Sequence, residues 1–378
     1  MSTLFEQAVQ RETVPFRYDI VGSFLRPAAI KEARLQFQNN EITAEQLRHI
    51  EDEEIIKLVQ KQKEAGLKGV TDGEFRRSWW HLDFMWGLDG VEKAEISEGY
   101  RFQGVETRAE TARLSGKIKF STHPFIEDFL FLQEAAGRDV LPRQTIPSPA
   151  QFLSELQRGE NRDRTFEVYT TQQELVEDIA AAYRDAIQAF YDAGCRNLQL
   201  DDCTWGMLCD KGYWEHRQKE GVDVNEIAKL YAYLNNEAIK SRPEDLVITM
   251  HVCRGNFHST WAASGGYDPI AKVLFGTVHV DGFYLEYDSQ RAGDFAPLQH
   301  IQDQVVVLGL FTSKNGELED KQDILDRIRE ASQYVDINQL CLSPQCGFAS
   351  TEEGNLLTEE QQWNKLKFIK EVAEEVWG

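Results

Sequence analysis

Residues 172–202 read QQELVEDIAAAYRDAIQAFYDAGCRNLQLDD, and they hold the unit from which the chain is built. Leu175, Ile179, Ala182, Ala186, Ile187 and Phe190 recur at spacings that put them on one side of a helix over 172–193. Gly194 stops that helix, because glycine adopts the left-handed conformation of a helix end without steric cost. Residues 197–200 then form a short run suited to a covered strand, and Asp201 and Asp202 follow directly. A helix, a stop, a strand and then polar residues make one α/β unit.

Seven more short runs lie at 18–22, 69–71, 143–146, 246–250, 282–285, 304–310 and 339–342. They read as near-continuous apolar segments, as expected of parallel strands covered on both faces. Helices are predicted over 43–65, with Thr43 as the cap, and over 224–240, 319–334 and 358–376. Eight alternations of strand and helix favour an α/β fold of the (β/α)8 TIM-barrel type, with a doubly wound open sheet as the alternative. Residues 91–122 break the rhythm. They read as alternating strand with a turn at Leu114-Ser115-Gly116, which predicts a β-hairpin inserted after the second barrel strand and able to cover one mouth.

The length of 378 residues fits one elaborated barrel, which takes about 250 residues plus loops. No Pro/Gly-rich linker divides the chain, so one domain over 1–378 is expected. Lys+Arg is 41 against 63 Asp+Glu, a net charge of −22. That balance speaks against nucleic acid or an anionic membrane as the main partner, since both need a basic face. The longest apolar run is far below the ~18 residues of a membrane span. The first twenty residues show no apolar signal core, so six cysteines read as reduced thiols in a cytoplasmic protein, free to bind metal.

In a barrel the chemistry sits at the C-terminal ends of the strands. Those ends carry Val21-Gly22-Ser23, Asp72-Gly73-Glu74, Asp201-Asp202, His251-Val252-Cys253, Glu286 and Cys346. His251 and Cys253 are two apart and point the same way on an extended segment. A lone His-x-Cys is more often a packed pair than a metal site. Glu286 and Cys346 at two other strand ends change that balance. Two thiolates, an imidazole and a carboxylate make a set suited to Zn2+ rather than to magnesium or calcium. Cys203 and Cys209 compete as thiol ligands, but their irregular spacing reads as packing. Cys195 and Cys341 read as core. Glu74 and Asp201 can anchor an ammonium group, unless Arg26, Arg76 or Arg77 occupies them. Gly22-Ser23 can offer a backbone amide and a hydroxyl to a carboxylate. The aromatic stretch with Trp79, Trp80 and Trp86 either lines a pocket or covers the barrel rim.

Taken together, the segments IVGSF, DGEF, LQLDD, His251-x-Cys253, FYLEYDSQRAGD and LSPQCGFAS resemble the cobalamin-independent methionine synthase family, in the family order from residue 20 to 350. That family has two tandem barrels with catalysis in the C-terminal one, so this chain is similar to a single catalytic barrel. The resemblance implies an S-methyltransferase of methionine biosynthesis, similar to 5-methyltetrahydropteroyltriglutamate–homocysteine methyltransferase. It implies zinc held by His251, Cys253, Glu286 and Cys346. It implies that Glu74 and Asp201 hold the amino group of homocysteine and that Val21, Gly22 and Ser23 contact its amino-acid end.

Two features depart from the family pattern. A His-Ser-Pro segment whose histidine shuttles a proton is replaced by Leu310-Phe-Thr-Ser-Lys314, so no catalytic acid is assigned. The tryptophan that stacks on folate is also missing, and Glu155 falls near its place. Thiol activation is therefore expected to be kept, while the donor is methyltetrahydrofolate held differently or another carrier such as a methylcorrinoid. The competing functions are a zinc hydrolase or lyase, against which the two cysteines speak, and a thiol- or metal-binding barrel without methyl transfer.

Overall fold

The computed structural model describes residues 4–219 and 221–378. Its helices follow the apolar periodicity. Gln172–Asp192 buries Leu175, Ile179, Ala182, Ala186, Ile187 and Phe190, and the Thr171 side chain caps it by accepting from the Glu174 amide. Burying each of the larger apolar chains contributes roughly 1.5–3 kcal/mol, so this one face outweighs any intrinsic helix preference. Ala44–Glu64 starts with a capping box in which Thr43 and Gln46 satisfy each other's backbone amides.

Six parallel strands form a continuous sheet: Gln144–Pro147, Asn197–Asp202, Val247–Val252, Gly282–Glu286, Val305–Phe311 and Leu340–Pro344. Every residue of the Asn197–Asp202, Gly282–Glu286 and Val305–Phe311 strands is buried, which explains their unbroken apolar reading. Tyr18 bridges Leu342 in parallel, and Gly69–Val70 pairs with Leu141–Pro142 just before the Gln144 strand. Between residues 18–22 and 69–71 the closure passes through Thr71, whose hydroxyl donates to the Gly22 carbonyl at 2.5 Å, and through the Phe24 amide to Gly73 O at 3.1 Å. The eight segments thus close into a (β/α)8 barrel with helices outside. An open doubly wound sheet is excluded by the Tyr18–Leu342 bridge.

Asp89–Glu95 and Glu110–Lys119 pair antiparallel. Leu114-Ser115-Gly116 is not the turn. It lies inside the second of these strands, where the register slips between the Asp89–Lys119 and Val91–Leu114 pairs, so it is a bulge. The reversal of the chain lies in residues 96–109, which carry their own small pair, Arg101–Phe102 against Val105–Glu106. No helix of the described residues is long and apolar enough to cross a membrane.

Candidate functional site

A cavity of about 540 Å³ opens at the C-terminal ends of the strands. Val21, Ser23, Glu74, Asp201, His251, Cys253 and Cys346 all line it, and so do Trp79 and Trp80. Tyr100, Arg101, Phe102 and Thr107 of the inserted segment form part of its wall. Trp86 stands apart, half-buried, with its indole N–H donating to Thr111 O at 3.0 Å.

His251, Cys253, Glu286 and Cys346 are brought together. One ligand atom from each lies within 4.8 Å of all the others, and all four side chains are buried. Strand register does this: the fifth barrel strand pairs Tyr284 with His251, and Glu286 ends the next strand. The two sulfurs are 3.7 Å apart. Hydrogen bonding to Cys203 and burial push the Cys253 thiol up, and hydrogen bonding to Cys253 and burial push Cys346 up. Neither sulfur is poised as a free thiolate. A bound cation is what reverses that preference. His251 Nδ1 lies 3.3 Å from Tyr284 O, so it donates to the carbonyl, and the buried imidazole also interacts with the Cys346 thiol. That tautomer leaves an imidazole lone pair toward the thiols, the usual arrangement of a metal-ligating histidine. Glu286 is fixed by the Arg254 amide at 2.9 Å on one oxygen and by Arg291 at 3.2 Å on the other. Residue types, tautomer and second partners all fit a zinc ion.

Cys203 differs from its sequence reading. It lines the cavity and hydrogen-bonds Cys253, because the chain turns into the helix Thr204–Cys209 at that point. Cys209, Cys195 and Cys341 are buried as packing residues.

The second group comprises Glu74 and Asp201. Glu74 sits at φ 60°, left-handed for a residue with a side chain, in a turn where its amide donates to Asp72 at 2.8 Å. Holding it there costs about 1–3 kcal/mol, strain that persists only where the surroundings over-determine it. Thr145 donates to Glu74 Oε1 at 3.1 Å and Arg77 lies 3.4 Å from it, while Oε2 is buried and has no hydrogen-bond partner among the described residues. Arg76 is engaged with Glu51, Asp52 and Asp128, and Arg26 with backbone carbonyls. Burial pushes the Glu74 carboxyl up. Burial, with the charge of Glu74, pushes Asp201 well above the usual carboxylate range. Asp201 accepts from Gln199 at 2.8 Å. Burial outweighs the opposing charge of Arg77 at both carboxyls, so a further cation placed against them would be favoured. Ser23 accepts from the Ala349 amide at 3.3 Å and packs against Gly347, where a Cβ would come within 1.9 Å of its hydroxyl. Glycine at 347 is therefore required by the approach of the Val21-Gly22-Ser23 turn to the Cys346 loop.

These features match a known group of proteins. Residues 164–375 match the family described as "Cobalamin-independent synthase, Catalytic domain". The chain belongs to this family. The uncharacterized Bacillus subtilis protein YxjG is 51% identical, covering 98% of this chain and 97% of its own. The methionine synthase of Saccharolobus solfataricus is 23% identical over 87% of this chain and 86% of its own. Among solved structures, a Listeria monocytogenes protein described as a candidate vitamin-B12-independent methionine synthase superposes with a TM-score of 0.76, at 45% identity over 97% of this chain and all of that one. Family membership makes the chain a relative of methionine synthase built as one catalytic barrel.

One further group lines the cavity, and of its members the sequence pointed to Glu155 alone, not to His81 or Tyr100. Glu155 is buried and accepts from Tyr100 at 2.6 Å, from Thr111 and from Arg158 at 3.0 Å, and Tyr100 is 2.8 Å from His81. Lys314, in the segment where the family carries a histidine, is buried with Nζ 3.4 Å from Asn256 Oδ1.

Proposed function

We propose that this chain is a zinc-dependent homocysteine S-methyltransferase that makes methionine, with methyltetrahydrofolate as the first donor to test. The observation that carries this reading is the convergence in one cavity of the His251–Cys253–Glu286–Cys346 cluster and the Glu74–Asp201 pair. Such a cavity suits a substrate with a thiol at one end and an ammonium at the other. Zinc held by the four cluster residues would supply a positive charge that keeps a thiol of ordinary pKa near 8.5 as its nucleophilic thiolate.

The protein's own residues do the rest. Glu74 and Asp201 hold the ammonium by charge-assisted hydrogen bonds. The Val21-Gly22-Ser23 turn meets the amino-acid end. Burial keeps water from competing for both groups, so each contact is worth more than at a surface. Trp79, Trp80 and the inserted segment line the same cavity and supply an aromatic wall for a donor. Homocysteine is thereby oriented with its sulfur fixed at the cluster, which is the entropic part of catalysis. A cytoplasmic location is part of this reading, and a methylcorrinoid carrier is the second donor class.

The test is a methyl-transfer assay on the zinc-loaded protein with homocysteine and, in separate arms, methyltetrahydrofolates of different glutamate length and a methylcorrinoid. Methionine formed in the folate arm is the expected result. Methionine only in the corrinoid arm would replace the donor, and none in any arm would leave a thiol-binding barrel.

A further inference from the structure

His81, Tyr100 and Glu155 come from three separate segments: the loop after the second barrel strand, the inserted segment and the helix Pro149–Leu156. All three line the cavity that also contains Cys253 and Cys346. Proton directions along this chain are fixed from one end. Burial alone would raise the Glu155 carboxyl, but the Arg158 guanidinium overrides it and holds the group below its ordinary value, so Glu155 is a carboxylate and can only accept. The single Tyr100 proton therefore goes to Glu155 at 2.6 Å. The Tyr100 oxygen must then accept from His81, which places the imidazole proton on Nε2, 2.8 Å away. Nδ1 is left with a lone pair.

That Nδ1 is buried and has no hydrogen-bond partner among the described residues. His81 is only 3% exposed, and its ring is held by Trp80, whose centroid is 4.5 Å away at 30°, and edge-on by Trp79 at 5.9 Å. Burial lowers the imidazole pKa to about 4, so the ring is neutral at pH 7. A neutral acceptor of fixed direction beside an aromatic wall selects a particular ligand edge. It pairs with N–H or amino groups, and it repels carbonyl edges and anions. An unpaired buried acceptor is costly, and a ligand that pairs with it recovers that cost on binding.

We infer that His81 is a specificity-determining residue of this cavity: its Nδ1, kept free of a proton by the Tyr100–Glu155 pair, accepts a hydrogen bond from an N–H or amino group on the nitrogen heterocycle of the methyl donor. The inference rests on the proposed methyltransferase reading and names residues that set its donor preference. Tyr100 and Glu155 act through His81 and are positioning residues.

The experiment uses zinc-loaded full-length protein with 15N-labelled histidine, and methyltetrahydrofolate and homocysteine as separate probes. The expected spectrum of the free protein at pH 7 shows His81 with its proton on Nε2. Methyltetrahydrofolate then shifts the Nδ1 resonance, and homocysteine alone does not. Calorimetry should show methyltetrahydrofolate binding weakened roughly ten- to hundred-fold in His81→Phe and roughly three- to ten-fold in Tyr100→Phe, which removes one hydroxyl, with homocysteine binding unchanged in both. A proton on Nδ1 in the free protein would overturn the inference whatever the donor. Tight methyltetrahydrofolate binding that leaves both the resonance and the variants' affinities untouched would overturn it while sparing the methyltransferase reading. No methyltetrahydrofolate binding by the wild-type protein would remove the folate donor, and this inference with it.

Discussion

From Gln144–Pro147 round to Leu340–Pro344, neighbouring barrel strands share four to six backbone register pairs, whereas Gly69–Val70 shares two and Tyr18 a single bridge. The ladder-rich side carries His251, Cys253, Glu286 and Cys346, and also Asp201 at the end of the Asn197–Asp202 strand. The ladder-poor side carries Gly22, Ser23 and Glu74. There side chains replace the missing ladder. Arg143 bonds Asp19 at 2.7 Å and Ile20 O at 2.5 Å, Tyr284 donates to Asp19 at 2.8 Å, and Gln62 brackets Thr71 through both its backbone groups at 2.8 and 3.1 Å. The metal-capable side rests on many small, additive backbone bonds. The side with Gly22, Ser23 and Glu74 rests on a few buried polar contacts, each costly to break. One cavity thus combines a rigid cluster with a more vulnerable partner site.

The widest gap between the sides should appear in metal content. Cys253→Ser combined with Cys346→Ser is expected to lower bound zinc from one per chain to almost none, measured by elemental analysis, while the circular dichroism of the barrel is kept. Collapse of the fold would show that the ladder alone does not hold that side.

Next in size is Arg143→Met. Removing one partner of a buried ion pair costs about 3–5 kcal/mol, because Asp19 is left buried without a countercharge. The urea midpoint should fall accordingly, and the folded fraction should still bind zinc. Equal loss of zinc affinity and amino-acid affinity would erase the distinction between the two sides.

The smallest effect concerns Asp201→Asn. Loss of one charge-assisted hydrogen bond should weaken homocysteine binding by about 1.5–3 kcal/mol while zinc stays bound. Acidification should mimic this variant. Glu74 and Asp201 have raised carboxyl pKa values, chiefly through burial, so they become protonated as pH falls and can no longer pair with an ammonium. Homocysteine affinity, followed by calorimetry between pH 8 and 5, should therefore decline before the ordinary carboxylate range near 4 is reached. Constant affinity over that range would mean that the two carboxyls do not hold the amine.

How much could be read without coordinates follows the same division. His251, Cys253, Glu286 and Cys346 sit at the ends of strands whose apolar runs are plain, and barrel closure necessarily gathers strand ends at one mouth. Glu74 and Asp201 follow from the same rule. Cys203 was misread because its position depends on how the chain leaves the fourth strand. His81, Tyr100 and Glu155 gave no periodic signal. Their meeting depends on where the inserted strands dock, and the Leu114-Ser115-Gly116 bulge shows that even the reversal point of that insertion is a tertiary matter.

The barrel, the number of its strands and the chemical types presented at its mouth are legible in the amino-acid order, because burial periodicity and residue chemistry are local properties. Which atoms meet is a matter of the folded chain: the imidazole tautomer at His251, the raising of Asp201 by burial and by Glu74, and the proton-directing chain from Glu155 to His81. Those depend on distances of about 3 Å between residues far apart in the chain, and hydrogen bonds and charges inside a barrel change sharply over such distances.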